Sequence, residues 1–131
     1  MPLHYRDLEA WQIAMDLIVE IYLLSRPFPS DERFALTSQI RRAAYSVALN
    51  ISEGHGKLGP GEFETSLSKA RGELREVECA MDIAERLEYT SVAQLQTARL
   101  LAERGGRKLT SLMNSVHTQR EQLKRPKSRS L

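Results

Sequence analysis

Apolar residues recur at helical spacing along almost the whole chain. The most regular run steps by alternating intervals of four and three residues through Phe63, Leu67, Ala70, Leu74, Val77, Met81 and Ala84. A repeat of 3.5 residues puts one continuous apolar stripe on a helix, which is typical of helices packed nearly antiparallel in a bundle. Alternating strand patterns are almost absent. The sequence therefore predicts an all-α protein.

Prolines and capping residues separate the first two helices. The first is predicted from about residue 6 to residue 25, because Pro27 and Pro29 cannot continue a helical hydrogen-bond ladder. Ser30 or Asp31 is the expected N-cap of the second helix, with acidic side chains where the helix dipole favours them. The connection between these helices is thus predicted to be short.

Glycines and a second capping site mark the remaining boundaries. The second helix is expected to stop at Gly54, and Thr90 or Ser91 is expected to cap the fourth. Gly105 and Gly106 lie together inside the fourth helix, where each costs about 1 kcal/mol relative to alanine and indicates a kink or a close helix contact. Four helices with short connections predict an antiparallel up-down-up-down four-helix bundle.

The length of 131 residues suits one domain, predicted as a bundle over residues 1–122 followed by a basic disordered tail over residues 123–131. Nineteen Lys and Arg stand against 17 Asp and Glu, a net charge of +2. Five of the basic residues lie from position 120 onward with one acid, so residues 1–119 carry −2. The basic balance therefore belongs to the tail.

Several functional classes find no support in the residue types present. The single cysteine, Cys79, excludes an intramolecular disulfide and is expected to be half-buried beside the stripe of the third helix. No signal peptide and no apolar run of membrane-spanning length is visible, which favours a cytoplasmic location without a membrane partner. His4, His55 and His117 are isolated, so no metal site is expected.

Residues 54–59 formally match the GxGxxG dinucleotide fingerprint, but that motif works only after a strand in a βαβ unit. A flexible turn between helices is the better interpretation. No nucleophile elbow or Cys-His pair is present either. We therefore expect no catalytic residues, no cofactor and no enzymatic activity.

Two arginines, Arg41 and Arg42, flank the apolar stripe of the second helix, where polar groups usually need defined partners. One interpretation is a structural polar network that sets helix register, with Gln39, Asn50 and Glu53 on the same helix and Glu73, Glu76 and Glu78 on the third. The other is that the arginines contact a nucleic acid or a protein. The residues alone leave both open.

The same region resembles a known family. The stretch Gln39-Ile40-Arg41-Arg42-Ala43-Ala44, followed by Asn50-Ile51-Ser52-Glu53-Gly54-x-Gly56-Lys57 and Ala70-x-Gly72-x-Leu74-x-Glu76-x-Glu78, is similar to the bacterial proteins first met in intervening sequences of 23S ribosomal RNA genes. The resemblance covers about residues 6–118. The accessory variability protein of diversity-generating retroelements looks like a relative, which is strongly basic and is thought to bind nucleic acid and a reverse transcriptase.

This resemblance implies a ring-shaped homopentamer of antiparallel bundles. The first helix suits such an assembly because it carries two apolar stripes, one through Ala10, Ala14, Leu17, Ile21 and Leu24 and one through Leu8, Trp11, Met15, Ile18 and Tyr22. One stripe can face the bundle core while the other packs elsewhere.

We expect a non-enzymatic, homo-oligomeric protein that binds ribosomal or other structured RNA, or DNA, or acts as a scaffold. The expected nucleic-acid contacts are Arg41, Arg42, Lys57, Lys124, Arg125, Lys127 and Arg129. The alternative is an adaptor for a protein encoded nearby, such as a reverse transcriptase.

Overall fold

Four long α-helices account for most of the chain in the computed structural model, which describes residues 4–56 and 59–125. They are α1 (Glu9–Ser25), α2 (Leu36–His55), α3 (Pro60–Arg86) and α4 (Val92–Lys124). Short 3₁₀ turns at Tyr5–Asp7 and Ser30–Glu32 precede α1 and α2, and the described residues contain no strand.

Each helix packs on two neighbours: α1 and α3 both contact α2 and α4. The α3–α4 pair is antiparallel, since Arg99 near the start of α4 is 2.6 Å from Glu85 near the end of α3. At the other end of the same pair, Arg120 Nε lies 3.1 Å from Glu64 Oε2. This arrangement confirms the predicted four-helix bundle.

The core consists of the stripes that periodicity identified. All seven positions of the alternating run on α3 are buried. On α1 the stripe that faces the core contains Ala10, Ala14, Leu17 and Ile21. On α4 the buried members are Leu95, Ala98, Ala102, Leu109 and Val116. Burying one apolar face of each amphipathic helix supplies the main driving force for this fold.

The start of α4 forms a capping box, in agreement with the predicted cap at Thr90 or Ser91. The Gln94 backbone N–H donates to Ser91 Oγ at 3.2 Å, and the Ser91 backbone N–H donates to Gln94 Oε1 at 3.1 Å. Two backbone donors that have no partner inside the helix are satisfied in this way. Ser91 is therefore the N-cap.

The predicted start of α2 is wrong. Ser30 and Asp31 belong to the 3₁₀ turn, and α2 begins at Leu36. The Leu36 backbone N–H donates to Glu32 Oε2 at 3.1 Å, so a carboxylate from the preceding turn satisfies the helix start. The first helix also begins later than predicted, at Glu9, because residues 5–7 form the other 3₁₀ turn.

Gly54 does not end α2, contrary to prediction. The helix continues through His55 with Gly56 as its C-cap, and Gly54 is a buried interior residue. A Cβ atom at Gly54 would stand 2.4 Å from Ser66 Cβ, so this glycine permits a close approach of α2 and α3. Gly105 is also buried, and a Cβ there would stand 3.4 Å from Ile13 Cγ2 on α1, an ordinary van der Waals contact.

The end of the chain is only partly described. The last helix runs to Lys124, two residues beyond the predicted end of the bundle domain, and Arg125 is its C-cap. The predicted contacts Lys57, Lys127 and Arg129 lie outside the described residues.

Candidate functional site

Arg41 on α2 forms hydrogen bonds with the end of α1. Its Nε donates to Ser25 Oγ at 2.8 Å and its Nη2 donates to the Tyr22 carbonyl at 3.5 Å, with the guanidinium carbon 4.7 Å from the Tyr22 ring centroid. Ser25 is buried in the last turn of α1, where a cation is favoured by the helix dipole. The partners of Arg41 therefore lie on α1 and not on the carboxylate-bearing face of α3.

Arg42 is exposed and faces α3. Its Nη2 is 3.4 Å from Gln39 Oε1 on the same helix. Burial raises the pKa of the Glu73 carboxyl, Glu76 raises it further through a hydrogen bond and its charge, and Arg42 acts in the opposite direction. This is the place where part of the predicted polar network meets.

The rest of that network is dispersed. Asn50 Nδ2 donates to the Ser46 carbonyl of its own helix at 2.9 Å, and Asn50 and Glu53 line a different pocket that also contains Lys69. Glu78 faces α4. The structure thus brings Gln39 and Arg42 together and Glu73 and Glu76 together, but it does not bring these groups to Asn50 or Glu78.

Charge is segregated between the helices. The last helix carries six Lys or Arg against two Glu, whereas α1 carries three acidic residues and no Lys or Arg. The two helices are neighbours, and Lys108 Nζ lies 2.8 Å from Glu9 Oε2, which lowers the pKa of Glu9 through a hydrogen bond and charge. The slight negative charge of residues 1–119 therefore conceals a basic helix.

A groove of about 590 Å³ runs between α3 and α4. It is lined by Arg71, Leu74, Arg75, Glu78, Ala102, Glu103, Gly106, Arg107, Thr110 and Ser111. Arg107 is 2.6 Å from Glu103. No ion pair or hydrogen bond joins Arg71 or Arg75 to another residue in the described ranges. Sequence reasoning missed this cluster, although the spacing of four residues between Arg71 and Arg75 places both on one helix face.

An apolar groove of about 380 Å³ lies between α1 and α2, and it is lined by Tyr5, Trp11, Met15, Ile18, Tyr45, Ala48, Leu49 and Ser52. Met15 is 40% exposed and Leu49 56% exposed. Val19, one turn after Met15, extends the exposed apolar surface along α1. We call this surface the α1–α2 face. It contains most of the second stripe of the first helix, and contiguous apolar patches of this kind mark interaction surfaces.

Other candidate chemistry receives no support from the geometry. Cys79 is exposed and not half-buried, so that prediction is wrong. No group of three or more His, Cys, Asp or Glu within residues 4–56 and 59–125 is placed to hold a metal ion. Gly54 lies inside α2, so the GxGxxG match begins within a helix and does not follow a strand. In the described part of the chain, no helix has the length and hydropathy of a membrane span.

The comparisons with known proteins agree with this architecture. The profile of the 23S rRNA-intervening sequence protein family matches residues 6–111. The fold is similar to the crystal structure of a protein with unknown function from the S23 ribosomal protein family of Bacteroides thetaiotaomicron VPI-5482, with a TM-score of 0.72 and 22% identity. That match covers 79% of this chain and 97% of the other. No curated protein matches the sequence.

Proposed function

The chain belongs to the family of 23S rRNA-intervening sequence proteins, and from this premise we propose a cytoplasmic, non-enzymatic, homo-oligomeric bundle that binds structured RNA such as ribosomal RNA. The observation that carries the proposal is the separation of two surfaces. Since α1 contacts α2 and α4, and α3 contacts the same two helices, the α1–α2 face and the α3–α4 groove lie on opposite sides of the bundle. Self-assembly through one side leaves the arginines of the other accessible.

The occupant we propose for the α1–α2 face is a second copy of the chain. The face combines half-buried Trp11 and Ile18 with exposed Met15 and Leu49, as an interface core does before a partner covers it. The resemblance described above points to a ring of five. Light scattering should give a mass near five times the 14.9 kDa of one chain, and a mass near 14.9 kDa would contradict the assembly.

The RNA contacts we propose are cationic and act on phosphates. They are Arg42, Lys57, Lys124, Arg125, Lys127 and Arg129. Arg41 is left out because Ser25 and Tyr22 already bind its guanidinium group. An oligomer places several such sets side by side, and linked weak contacts raise the overall affinity.

Contacts of this type release counterions, so affinity should depend steeply on salt. With six or more phosphates contacted, we expect binding of a structured RNA to weaken about a thousandfold between roughly 50 and 200 mM salt. A fluorescence titration at several salt concentrations measures this slope. Binding that does not depend on salt, or no binding at low salt, would contradict the phosphate mechanism.

Replacing Lys124, Arg125, Lys127 and Arg129 together by Gln should weaken RNA binding and flatten the salt dependence, because each lost phosphate contact lowers the slope by about one. The bundle should remain folded, since Lys124 makes only an exposed ion pair with Glu121 at 3.7 Å. Circular dichroism provides the folding control. An unchanged salt slope would show that the tail is not a contact.

A protein-interaction adaptor is the second candidate, and the α1–α2 face is the observation in its favour. In that case the occupant of the face is a protein encoded nearby, such as a reverse transcriptase. A pull-down with the candidate partner distinguishes the two functions. The adaptor predicts that the tail variant retains its protein partner and that the chain is monomeric without that protein. The RNA-binding assembly predicts no such protein partner and an oligomer of the chain alone.

A further inference from the structure

We propose that the α3–α4 groove is a binding site for a phosphate group, held by Arg71, Arg75 and Arg107. The phosphate can belong to an RNA strand or to a free ribonucleotide. The RNA form deepens the proposed function and rests on it, whereas the nucleotide form does not. Nothing in the comparisons assigns a ligand to this groove.

The first observation is that two of its arginines have no partner in the described part of the chain. Arg71 and Arg75 are exposed, successive on one face of α3, and form no ion pair or hydrogen bond within residues 4–56 and 59–125. Arginine presents several N–H donors in a planar fork that matches the oxygens of a phosphate. The Cβ atoms of Arg71 and Arg75 are expected to lie about 5–6 Å apart, so their guanidinium groups can bind one phosphate or two successive phosphates.

The second observation is the distribution of charge along the groove. The ion pairs Arg99–Asp82 and Arg120–Glu64 show the antiparallel register of α3 and α4. In this register Glu78 and Glu103 lie at one end of the groove. The arginines and the hydroxyls lie toward the other end.

At the basic end, Arg71 is level with Thr110 and Ser111, whose hydroxyls also line the groove. Glu103 is neutralised by Arg107 at 2.6 Å, an exposed ion pair of small worth. A phosphate at this end would therefore meet arginine N–H groups and hydroxyl donors, with the unpaired carboxylate of Glu78 at the far end. An RNA strand that leaves the groove on this side would run toward Lys124 and Arg125 at the end of α4.

The third observation is Gly106, which lies in the lining of the groove. A Cβ at Gly106 would meet only Leu74 Cδ2, at an ordinary 3.7 Å. A glycine inside a helix costs about 1 kcal/mol relative to alanine. Packing does not require this one. Its effect is to keep the groove open beside Arg107 and Thr110.

The test uses two variants that change the groove in different ways. Arg71→Gln with Arg75→Gln removes the unpaired charges. Gly106→Leu fills the groove without changing charge and, by helix propensity, should not lower the melting temperature. The matched control is Arg26→Gln with Arg86→Gln, which removes the same charge from two exposed arginines elsewhere on the bundle. Each full-length variant is titrated with a labelled structured RNA and with AMP.

We expect the Arg71/Arg75 pair and Gly106→Leu each to weaken RNA binding roughly tenfold or more, since hydrogen bonds to charged groups are among the stronger ones. The control pair should have a much smaller effect. Equal losses of RNA affinity in the Arg71/Arg75 variant and in its control would mean that binding depends only on total charge, which would overturn the site. Normal RNA binding by Gly106→Leu would also overturn it.

The outcomes separate this inference from the proposed function. RNA binding by the wild type that all groove variants retain overturns the groove and leaves the function intact. AMP binding that the groove variants abolish, without RNA binding by the wild type, supports a free-nucleotide site and overturns the function. If the wild type binds neither ligand, both proposals fail.

Discussion

Gly54→Ala should lower the free energy of unfolding by about 2–3 kcal/mol, the upper part of the range for overpacking a core. This sign is the opposite of what helix propensity predicts, since alanine is favoured over glycine by about 1 kcal/mol inside a helix. The reason is steric. A Cβ at this position would stand 2.4 Å from Ser66 Cβ, 2.9 Å from Ser66 Oγ and 3.1 Å from Phe63 Cδ1.

The clash cannot be relieved by rotating a side chain, because Ser66 Cβ is attached directly to the α3 backbone. Relief requires α2 and α3 to move apart, which loosens buried contacts around Ile51 and Phe63. The effect should therefore appear as a shifted midpoint in urea denaturation followed by circular dichroism.

Gly72→Ala is the matched control, because Gly72 lies exposed inside α3 and its Cβ would meet nothing within 4 Å. This variant should be more stable than the wild type by up to about 1 kcal/mol. In a Ser66→Gly background, Gly54→Ala should lose most of its penalty, since the two positions share one contact. Stabilisation by both alanines would mean that α2 and α3 do not approach this closely.

Leu49→Glu should convert the assembly into single chains of 14.9 kDa without unfolding them. Leu49 is 56% exposed in the single chain, so a carboxylate there remains hydrated and costs the fold little. If the α1–α2 face is covered by a second copy, the same carboxylate is buried without a partner. Burying an unpaired charge costs several kcal/mol, more than a marginal interface can supply.

Val92→Glu is the control for this variant. Val92 is also an exposed apolar residue, 65% accessible, but it lies at the first position of α4, where a negative charge is favourable. Its mass by light scattering should equal that of the wild type. Retention of the full mass by Leu49→Glu would exclude this face as the contact between subunits. Loss of mass in both variants would show that the effect is not specific to the face.

The helical class and the core positions of this protein were predictable from sequence. An apolar stripe on a helix is a local pattern, because the residues that share a face are three or four positions apart. The run from Phe63 to Ala84 is buried throughout for that reason. Where a boundary depended on a distant residue the prediction was wrong, as at Gly54, whose role is decided by Ser66 on another helix.

The candidate site was much harder to predict from the sequence. Arg41 and Arg42 are adjacent, yet one binds the end of α1 and the other faces α3, because successive residues point about 100° apart around a helix. Arg107 lies far from Arg71 and Arg75 in sequence and shares a groove with them only through the register of α3 and α4.

By itself, the sequence determined that four amphipathic helices form and which face of α3 is buried, since this information is carried by residues within two helical turns of one another. The tertiary structure alone decided which polar groups meet, which arginines are left without partners and which apolar surface stays uncovered. Those properties depend on how helices are rotated and aligned against each other, which no local pattern records.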